Sequence, residues 1–529
     1  MLTKILTVIM LVIFFAVMIF IGLSCRRHAT DVNGFVLGGR SVGPWLTAFA
    51  YGTSYFSAVI FVGYAGQFGW NFGLASTWIG LGNAFIGSLL PWVILGRRTR
   101  LMTQKLDSKT MPDFFAKRYN STALRAVASV IVFVFLIPYT ASLYNGLSSL
   151  FNIAFDIPYW VVIAVMAVLT GIYVIFGGYM ATAINDFIQG IIMLVGIVAV
   201  VGAVLAANGG LTEATKALAN ISTEATADMP GAYASFFGPD ALFLFFVVML
   251  TSLGTWGLPQ MVGKFYSIKN EAAIKKGTVI STVFAIVVAG GCYFLGGFAR
   301  LYSGEASIWK GGEIGKTVMF DNIIPAMLSK MPAVIIAVVI VLVLSASMST
   351  LSSLVLTSSS TLALDVVFAG KKADEKKKVF VMRAFIVFFI LISAVIAVLK
   401  DTFNFSFIAQ MMGVSWGALA GAFLAPFLYG LYWKRTTVPA VAVNFVWGVG
   451  MTVVMFLKSM SIIALPANPV FDLVFKTSLH CGVVTMVGGL IIVPIVSLFT
   501  KAPDKNAVDD MFTAYDTEVT VKATEALGE

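Results

Sequence analysis

Long apolar runs separated by short polar segments dominate the chain. Thirteen runs are each long enough, at about twenty residues, for an α-helix to cross roughly 30 Å of hydrocarbon. They cover residues 4–24, 44–75, 77–96, 127–151, 159–179, 186–207, 241–262, 277–299, 332–365, 379–399, 404–432, 437–457 and 478–500. The pattern predicts an all-α polytopic membrane protein with about 13 transmembrane helices in a lipid bilayer.

Composition supports this prediction, because 59% of the 529 residues are hydrophobic and only 11% are charged. These values lie far from those of soluble domains. The first apolar run is followed by CRRHATD (25–31), which does not resemble a cleavage site. We therefore expect residues 1–25 to form a retained leading helix.

The net charge of +10 could suggest nucleic acid as a partner, but its distribution favours a membrane instead. Lys and Arg concentrate in alternate loops, and Lys264 is counted with the loop that follows the seventh run. By the positive-inside rule these loops are cytoplasmic. We expect a multi-pass protein of the cell membrane with its N-terminus outside, a cytoplasmic tail over 501–529 and no nucleic-acid partner.

Motifs of catalysis are missing from the sequence. The three Cys and two His residues have no metal-ligand spacing, and no P-loop, GxSxG or HExxH motif occurs. We predict that the protein is not an enzyme, with no catalytic residues and no cofactor-binding motif.

Hydroxyl side chains are concentrated in one apolar run. Eleven Ser and Thr residues lie between Ser345 and Thr361, where an unpaired hydroxyl costs roughly 1–3 kcal/mol to bury. On a helix, several of them would share one face. This face could bind an ion, or its hydroxyls could bond back to the preceding helical turn as small packing residues.

Two runs are interrupted by Gly and Pro. One break is predicted over 52–55 and the other over 254–259, five runs later. Because five is odd, the second copy of a five-helix unit would be inverted in the membrane, with a binding site at the breaks. The domains predicted are residues 43–207 and 241–432 as the two repeats, followed by 437–500 as two trailing helices. The alternative is that the glycines only allow close helix packing.

Four segments resemble the sodium:solute symporter family. They are FVLGGRSVGPWLTAFA (35–50), GGYMATAINDFIQG (177–190), MSTLSS (348–353) and LYWKRTT (431–437). The resemblance implies a leucine-transporter-like 5+5 inverted repeat with one leading and two trailing helices. It also implies alternating access driven by Na⁺, and the most similar members are proline, pantothenate and small-monocarboxylate permeases.

The same resemblance implies ligands for Na⁺. A first ion would bind the carbonyls of Thr53, Phe56 and Ala346 and the hydroxyls of Ser349 and Thr350. This set agrees with the pattern of an interrupted helix opposite a hydroxyl-rich one, and it lacks the carboxylates that divalent ions prefer. A second ion, which some members hold, would use Asp186, Ser352 and Ser353 together with Ser349. The alternative for Asp186 is a carboxylate favoured by a helix N-terminus.

The solute should lie between the two breaks. Its predicted contacts are Ser54, Tyr55, Ser57 and Gln67 from the first break and Thr251, Thr255, Trp256 and Gln260 from the second, with Tyr144, Asn145, Gln410 and Trp416 as weaker candidates. Any of these could instead be a satisfied polar group of the core.

Two observations restrict the solute. Tyr55 stands where proline permeases carry an Asp, which argues against proline. No Lys or Arg is predicted at the centre of a run, which favours a small carboxylate or zwitterion held by hydroxyls, amides and sodium.

The function predicted is secondary active transport. The protein would couple inward Na⁺ flow to uptake of a small organic solute, either a monocarboxylate, an amino acid or a pantothenate-like compound. The alternative is a Na⁺-dependent sensor or a channel-like membrane protein of the same fold.

Overall fold

Helices make up almost all of the ordered secondary structure. In the computed structural model residues 2–155, 158–399 and 408–519 are described, and they contain two isolated β-bridges but no strand. The first eleven helices are α1 Leu2–Ser24, α2 Val32–Leu37, α3 Pro44–Tyr55, α4 Ala65–Phe72, α5 Thr77–Ala84, α6 Arg97–Lys105, α7 Met111–Tyr119, α8 Thr122–Phe155, α9 Tyr159–Ala207, α10 Leu211–Ala219 and α11 Ala241–Leu253. The others are α12 Pro259–Tyr266, α13 Glu271–Ala285, α14 Gly291–Gly296, α15 Ile323–Ser329, α16 Ala333–Thr361, α17 Glu375–Val398, α18 Ile408–Tyr432, α19 Val438–Ser459, α20 Pro469–Val474, α21 Ser478–Phe499 and α22 Lys505–Phe512.

Membrane-spanning helices are numerous. Ten helical stretches of the described chain are long and apolar enough to cross a bilayer, and α11 with α12 adds an eleventh as a pair bent by 41°. Two of the ten, Val59–Lys105 and Trp160–Ala207, have 47 and 48 residues. Each would be about 70 Å long if straight, or twice the hydrocarbon thickness. The all-helical polytopic architecture is confirmed, while the count of thirteen spans stays a prediction.

The first helix break differs slightly from its predicted position. The predicted residues 52–55 are still helical, and the Phe56 N–H donates to the Gly52 carbonyl at 3.0 Å. The chain leaves the helix at Phe56 (φ −87°, ψ 117°) and continues as a π-helical turn from Val59 to Tyr64. Gly52 serves packing instead, because a Cβ there would lie 2.5 Å from the ring of Phe284.

The second break lies where the sequence predicts it. Helix α11 ends at Leu253, a 3₁₀ turn covers Gly254–Trp256, and α12 begins at Pro259. Proline is well suited to the first turn of a helix, because its missing N–H would have no partner there.

The basic loops meet on one face of the molecule. Arg97 pairs with Glu271 at 2.8 Å and also reaches the Tyr515 carbonyl, while Lys434 pairs with Asp509 at 2.7 Å. These contacts bring the loops near residues 97, 270 and 434 together with the chain beyond 500. We call this the basic face. Its existence agrees with the predicted alternation of loops, whereas its orientation in the cell stays a prediction.

The two helices that adjoin the breaks, α3 and α12, are joined to each other at their ends away from the breaks. The buried guanidinium of Arg40 donates to the carbonyls of Thr103, Ser108 and Tyr266 at 3.2, 2.6 and 3.3 Å. The backbone of Val42 also bonds to Ser267 and Lys269, just beyond α12. The segment that leads into α3 is thereby fixed to the end of α12.

Candidate functional site

Five oxygen atoms gather where the first helix break faces α16. The Ser349 hydroxyl lies 3.2 Å from the Thr53 carbonyl oxygen and 3.1 Å from that of Ala346. The Thr350 hydroxyl lies 3.2, 3.4 and 3.1 Å from the carbonyl oxygens of Thr53, Phe56 and Ala346. All five residues are buried. We call this group the oxygen cage, and it brings together all five residues predicted for the first sodium ion.

The local backbone explains why these carbonyls are available. The N–H groups of Ile60 and Phe61 both donate to the Ser57 carbonyl at 3.0 Å, so helical hydrogen bonding begins again at residue 57. The last carbonyls of a helix have no partner within it, and here those of Thr53 and Phe56 both face the Thr350 hydroxyl, which can donate to one of them at a time. On α16 the three cage residues share one face at i, i+3 and i+4 spacing.

The oxygen spacing is suited to a hard cation. Ligands about 2.3–2.6 Å from such an ion lie roughly 3.3–3.7 Å from one another at right angles. The measured separations of 3.1–3.4 Å need little change to reach that range. A hydroxyl has two lone pairs beside its proton, so both side chains can turn from donating to a carbonyl to binding an ion. Five neutral oxygens favour a monovalent cation.

Below the cage lies a buried ion pair that the sequence did not predict. Asp186 on α9 is fully buried, and its Oδ2 lies 3.6 Å from Nζ of Lys264 on α12. Lys264 donates to the Ser353 hydroxyl at 3.0 Å, and Ser353 lies 2.7 Å from the Ser54 hydroxyl. Ser352 instead donates to the Ser349 carbonyl within its own helix at 2.9 Å.

The prediction that Lys264 belongs to a basic loop is therefore wrong. It is only 3% exposed and lies inside a helix that begins five residues earlier. The signal was present in the sequence, since Pro259 marks a helix start and the next loop cannot begin before another turn or two. Because Lys264 was assigned to a loop, the sequence did not predict a cation beside Asp186.

Aromatic side chains form a second neutral compartment next to the cage. Tyr55 donates to the Thr251 carbonyl at 3.0 Å, and its ring centroid lies 6.1 Å from that of Trp416. Tyr139 packs edge-on against Trp416 at 6.0 Å. The Ser57 hydroxyl, the Tyr139 hydroxyl and the Trp416 N–H are buried close to one another, and among the described residues none of them makes a hydrogen bond of good geometry. We call Tyr55, Ser57, Tyr139 and Trp416 the aromatic pocket.

Three predicted solute contacts have protein partners on the stretch 83–87. The Thr251 hydroxyl donates to the Asn83 side chain at 3.0 Å, the Thr255 hydroxyl to the Gly87 carbonyl at 3.0 Å, and the Trp256 N–H to the Ile86 carbonyl at 2.8 Å. These bonds fix the second break against its neighbour. They match the alternative of satisfied polar groups in the core.

The two glutamines lie apart from the aromatic pocket. Gln260 lines a cavity of about 50 Å³ with Lys264 and Ser353, which also reaches Lys109 on the basic face. Gln67 lines a cavity of about 300 Å³ with Lys458, at the far ends of the spans. The predicted solute residues are thus distributed over several places in the molecule rather than gathered in one pocket.

The weaker candidates for solute contacts also lie in different places. Trp416 belongs to the aromatic pocket, and Tyr144 is buried on α8. The side chains of Asn145 and Gln410 lie outside the described residues. Tyr139 was not predicted, because a single tyrosine in an apolar run gives no signal of its surroundings.

Relatives of known function share most of the chain. It is 27% identical over 505 residues to the osmoregulated proline transporter of Bacillus subtilis, covering 94% of this chain and 96% of the relative. It is 28% identical over 439 residues to sodium/proline symporter 2 of Staphylococcus saprophyticus, covering 81% of each.

A solved structure has the same fold. The substrate-bound outward-open state of a Na⁺-coupled sialic acid symporter matches with a TM-score of 0.72 at 17% identity, covering 94% of this chain and 99% of that one. The profile described as the sodium:solute symporter family matches residues 35–444. The chain therefore belongs to the sodium:solute symporter family, and it is a Na⁺-coupled solute symporter of the membrane rather than an enzyme.

Proposed function

We propose that the protein uses inward Na⁺ flow to take up a small organic solute with one carboxylate group, by alternating access. The observation that carries this proposal is the oxygen cage between Thr53 and Thr350, with the aromatic pocket directly beside it. The membrane potential contributes about 2.3 kcal/mol per charge per 100 mV to such coupling.

The proposed coupling follows from the chain itself. The carbonyl of Phe56 belongs to the oxygen cage, while its neighbours Tyr55 and Ser57 belong to the aromatic pocket. An ion that fixes the Phe56 carbonyl also fixes the backbone on either side of it. Sodium binding would then order the solute pocket, and solute binding would in turn favour sodium, because such coupling is reciprocal.

The proposed topology has thirteen spans. The leading helix covers 1–25, the two repeats cover 43–207 and 241–432, and two trailing helices cover 437–500. Support comes from positive φ angles at Gly73 and Gly178, which interrupt the two double-length stretches. The basic face would be cytoplasmic and would carry the tail 501–529, so the N-terminus would lie outside.

The proposed solute class follows from the neutrality of the aromatic pocket. Its four side chains carry no charge, and Lys264 is already paired with Asp186. A solute carboxylate would face the sodium ion and the Ser57 hydroxyl. Its apolar or cationic part would face the rings of Tyr55, Tyr139 and Trp416, which can hold either kind of group.

Proline is the first solute to test, because the relatives from B. subtilis and S. saprophyticus are named as proline transporters. Tyr55 nevertheless replaces the carboxylate expected of a proline permease. This difference favours pantothenate or a small monocarboxylate over proline.

The test is uptake into proteoliposomes of the purified protein. Labelled proline, pantothenate and lactate are each offered with an inward Na⁺ gradient and with K⁺ in its place. We expect saturable uptake of one of them with Na⁺ only. Sodium currents that persist without any solute, or solute uptake that is indifferent to Na⁺, would contradict the proposal.

A further inference from the structure

The buried pair of Asp186 and Lys264 bears on how many ions are coupled to each solute. We propose that the Lys264 ammonium takes the place of a second sodium ion at Asp186, so that one Na⁺ accompanies each solute. The inference rests on the proposed function, in which the oxygen cage binds the first ion.

The ammonium already contacts two of the four ligands that are predicted for a second ion. Of the four residues in the predicted second site, Asp186 and Ser353 both contact Lys264, at 3.6 and 3.0 Å. An ammonium has one positive charge and donates to oxygen, so it satisfies the same carboxylate and hydroxyl. Ser352 donates to the Ser349 carbonyl of its own helix at 2.9 Å.

Asp186 and Lys264 are both buried, so each charge needs a partner inside the protein. Asp186 is 0% and Lys264 3% exposed, and the two side chains face each other as an ion pair at 3.6 Å. Lys264 thus supplies a buried positive charge that compensates Asp186. A sodium ion added at the same carboxylate would place two like charges side by side, with one negative charge for both.

The surroundings hold the lysine in place. Its ammonium lies 5.3 Å from the centre of the Tyr179 ring, a distance at which a cation is attracted to an aromatic face. Ser353 is itself bonded to Ser54 at the end of α3. Lys109 also lines the cavity beside Lys264, and the Thr110 hydroxyl in the same lining donates to the buried carboxylate of Asp365 at 2.6 Å.

The experiment counts sodium ions bound to the purified protein with radioactive sodium, alongside the Na⁺ dependence of uptake. The native protein should bind one ion per chain and show hyperbolic activation. Lys264→Met keeps the length of the side chain but frees Asp186, so it should bind a second ion and show sigmoidal activation. The double variant Lys264→Met with Asp186→Asn should return to one ion. Lys109→Met, which removes the neighbouring lysine, should also bind one.

Two results would overturn the inference. Two ions bound to the native protein, with one lost in Asp186→Asn, would mean that the carboxylate holds sodium despite the lysine. One ion bound to folded Lys264→Met would mean that the freed carboxylate does not attract sodium. If Lys264→Met does not fold, the number of sodium ions bound to the native protein and the charge moved per solute still show whether one or two ions are coupled.

Failure of the oxygen cage is distinguishable from failure of this inference. If the cage is wrong, Thr350→Ala, which leaves the four residues of the predicted second site in place, does not change the native sodium affinity. The gain of an ion in Lys264→Met would remain measurable in that case, because Asp186 and Lys264 lie outside the cage.

Discussion

The Thr350 hydroxyl lies 3.2 Å from the carbonyl oxygen of Thr53, a residue 297 positions earlier in the chain. Inside an unbroken helix, that carbonyl would accept from the N–H four residues ahead. The break at Phe56 releases it, and the hydroxyls of Ser349 and Thr350 both meet it. The hydroxyl-rich face of α16 and the interrupted helix α3 are therefore two halves of one site.

Removing either cage hydroxyl should weaken sodium binding. Ser349→Ala and Thr350→Ala each delete an oxygen that contacts the ion, which corresponds to roughly a tenfold to hundredfold loss of apparent Na⁺ affinity. The measurement is the Na⁺ concentration that gives half-maximal solute uptake. Thr350→Ser keeps the oxygen and should keep most of the affinity.

Ser347→Ala is the matched control on the same helix, because its hydroxyl donates to the Val343 carbonyl at 2.9 Å, outside the cage. Sodium dependence should stay native in this variant. If the double variant at 349 and 350 shows native sodium dependence as well, the ion binds elsewhere.

A charge at position 55 should disturb both ligands. Tyr55→Asp places a carboxylate between the oxygen cage and the aromatic pocket and removes the bond to Thr251. We expect solute uptake to fall at least tenfold without a gain of proline transport. Tyr55→Phe, which keeps the ring against Trp416, should retain most of the activity. Native uptake by the Asp variant would place residue 55 away from the solute.

Only part of this site could be predicted from the sequence. The cage residues carry two local signals, a Gly-rich interruption and a hydroxyl-rich helix, and the family resemblance pairs them. The Lys264 contact carries only half of such a signal, since Pro259 places the lysine inside helix α12, but only the packing of α12 beside α9 shows that its partner is Asp186. The break also lies beyond Gly52, because that glycine makes room for Phe284 rather than ending the helix.

Tyr139→Phe should separate solute binding from stability. The Tyr139 hydroxyl is buried beside the Ser57 hydroxyl and the Trp416 N–H but makes no hydrogen bond of good geometry with the described residues, and such a group is costly unless a ligand satisfies it. Removing it should raise the KM for the solute by roughly three- to tenfold, while the solute-free protein is at least as stable as the native one.

Tyr51→Phe is the control for that variant, because its hydroxyl donates to the Gly87 carbonyl at 2.8 Å. This variant should lower the thermal stability of the protein, whether or not it also lowers solute affinity. If Tyr139→Phe instead lowers stability and leaves KM unchanged, its hydroxyl has a structural partner and the aromatic pocket does not reach it.

Gly69→Ala should destabilise the packing behind the first break. Gly69 on α4 lies so close to α14 that an added Cβ would overlap the backbone of Gly296, and a Cβ at Gly296 would overlap Ala65 in return. Small residues allow such close approach of helices in a membrane. Neither side of the contact is a flexible side chain, so the helices must separate, at a cost of about 1–3 kcal/mol. Gly202→Ala on α9 is the control, because nothing lies within 4 Å of a Cβ added at that glycine, and alanine favours helix more than glycine does.

Thermal unfolding in detergent should show a lower midpoint for Gly69→Ala and an equal or higher midpoint for Gly202→Ala. Because α4 continues directly from the π-helical turn after the oxygen cage, Gly69→Ala should also weaken sodium binding, and equal midpoints for the two variants would rule out the close contact.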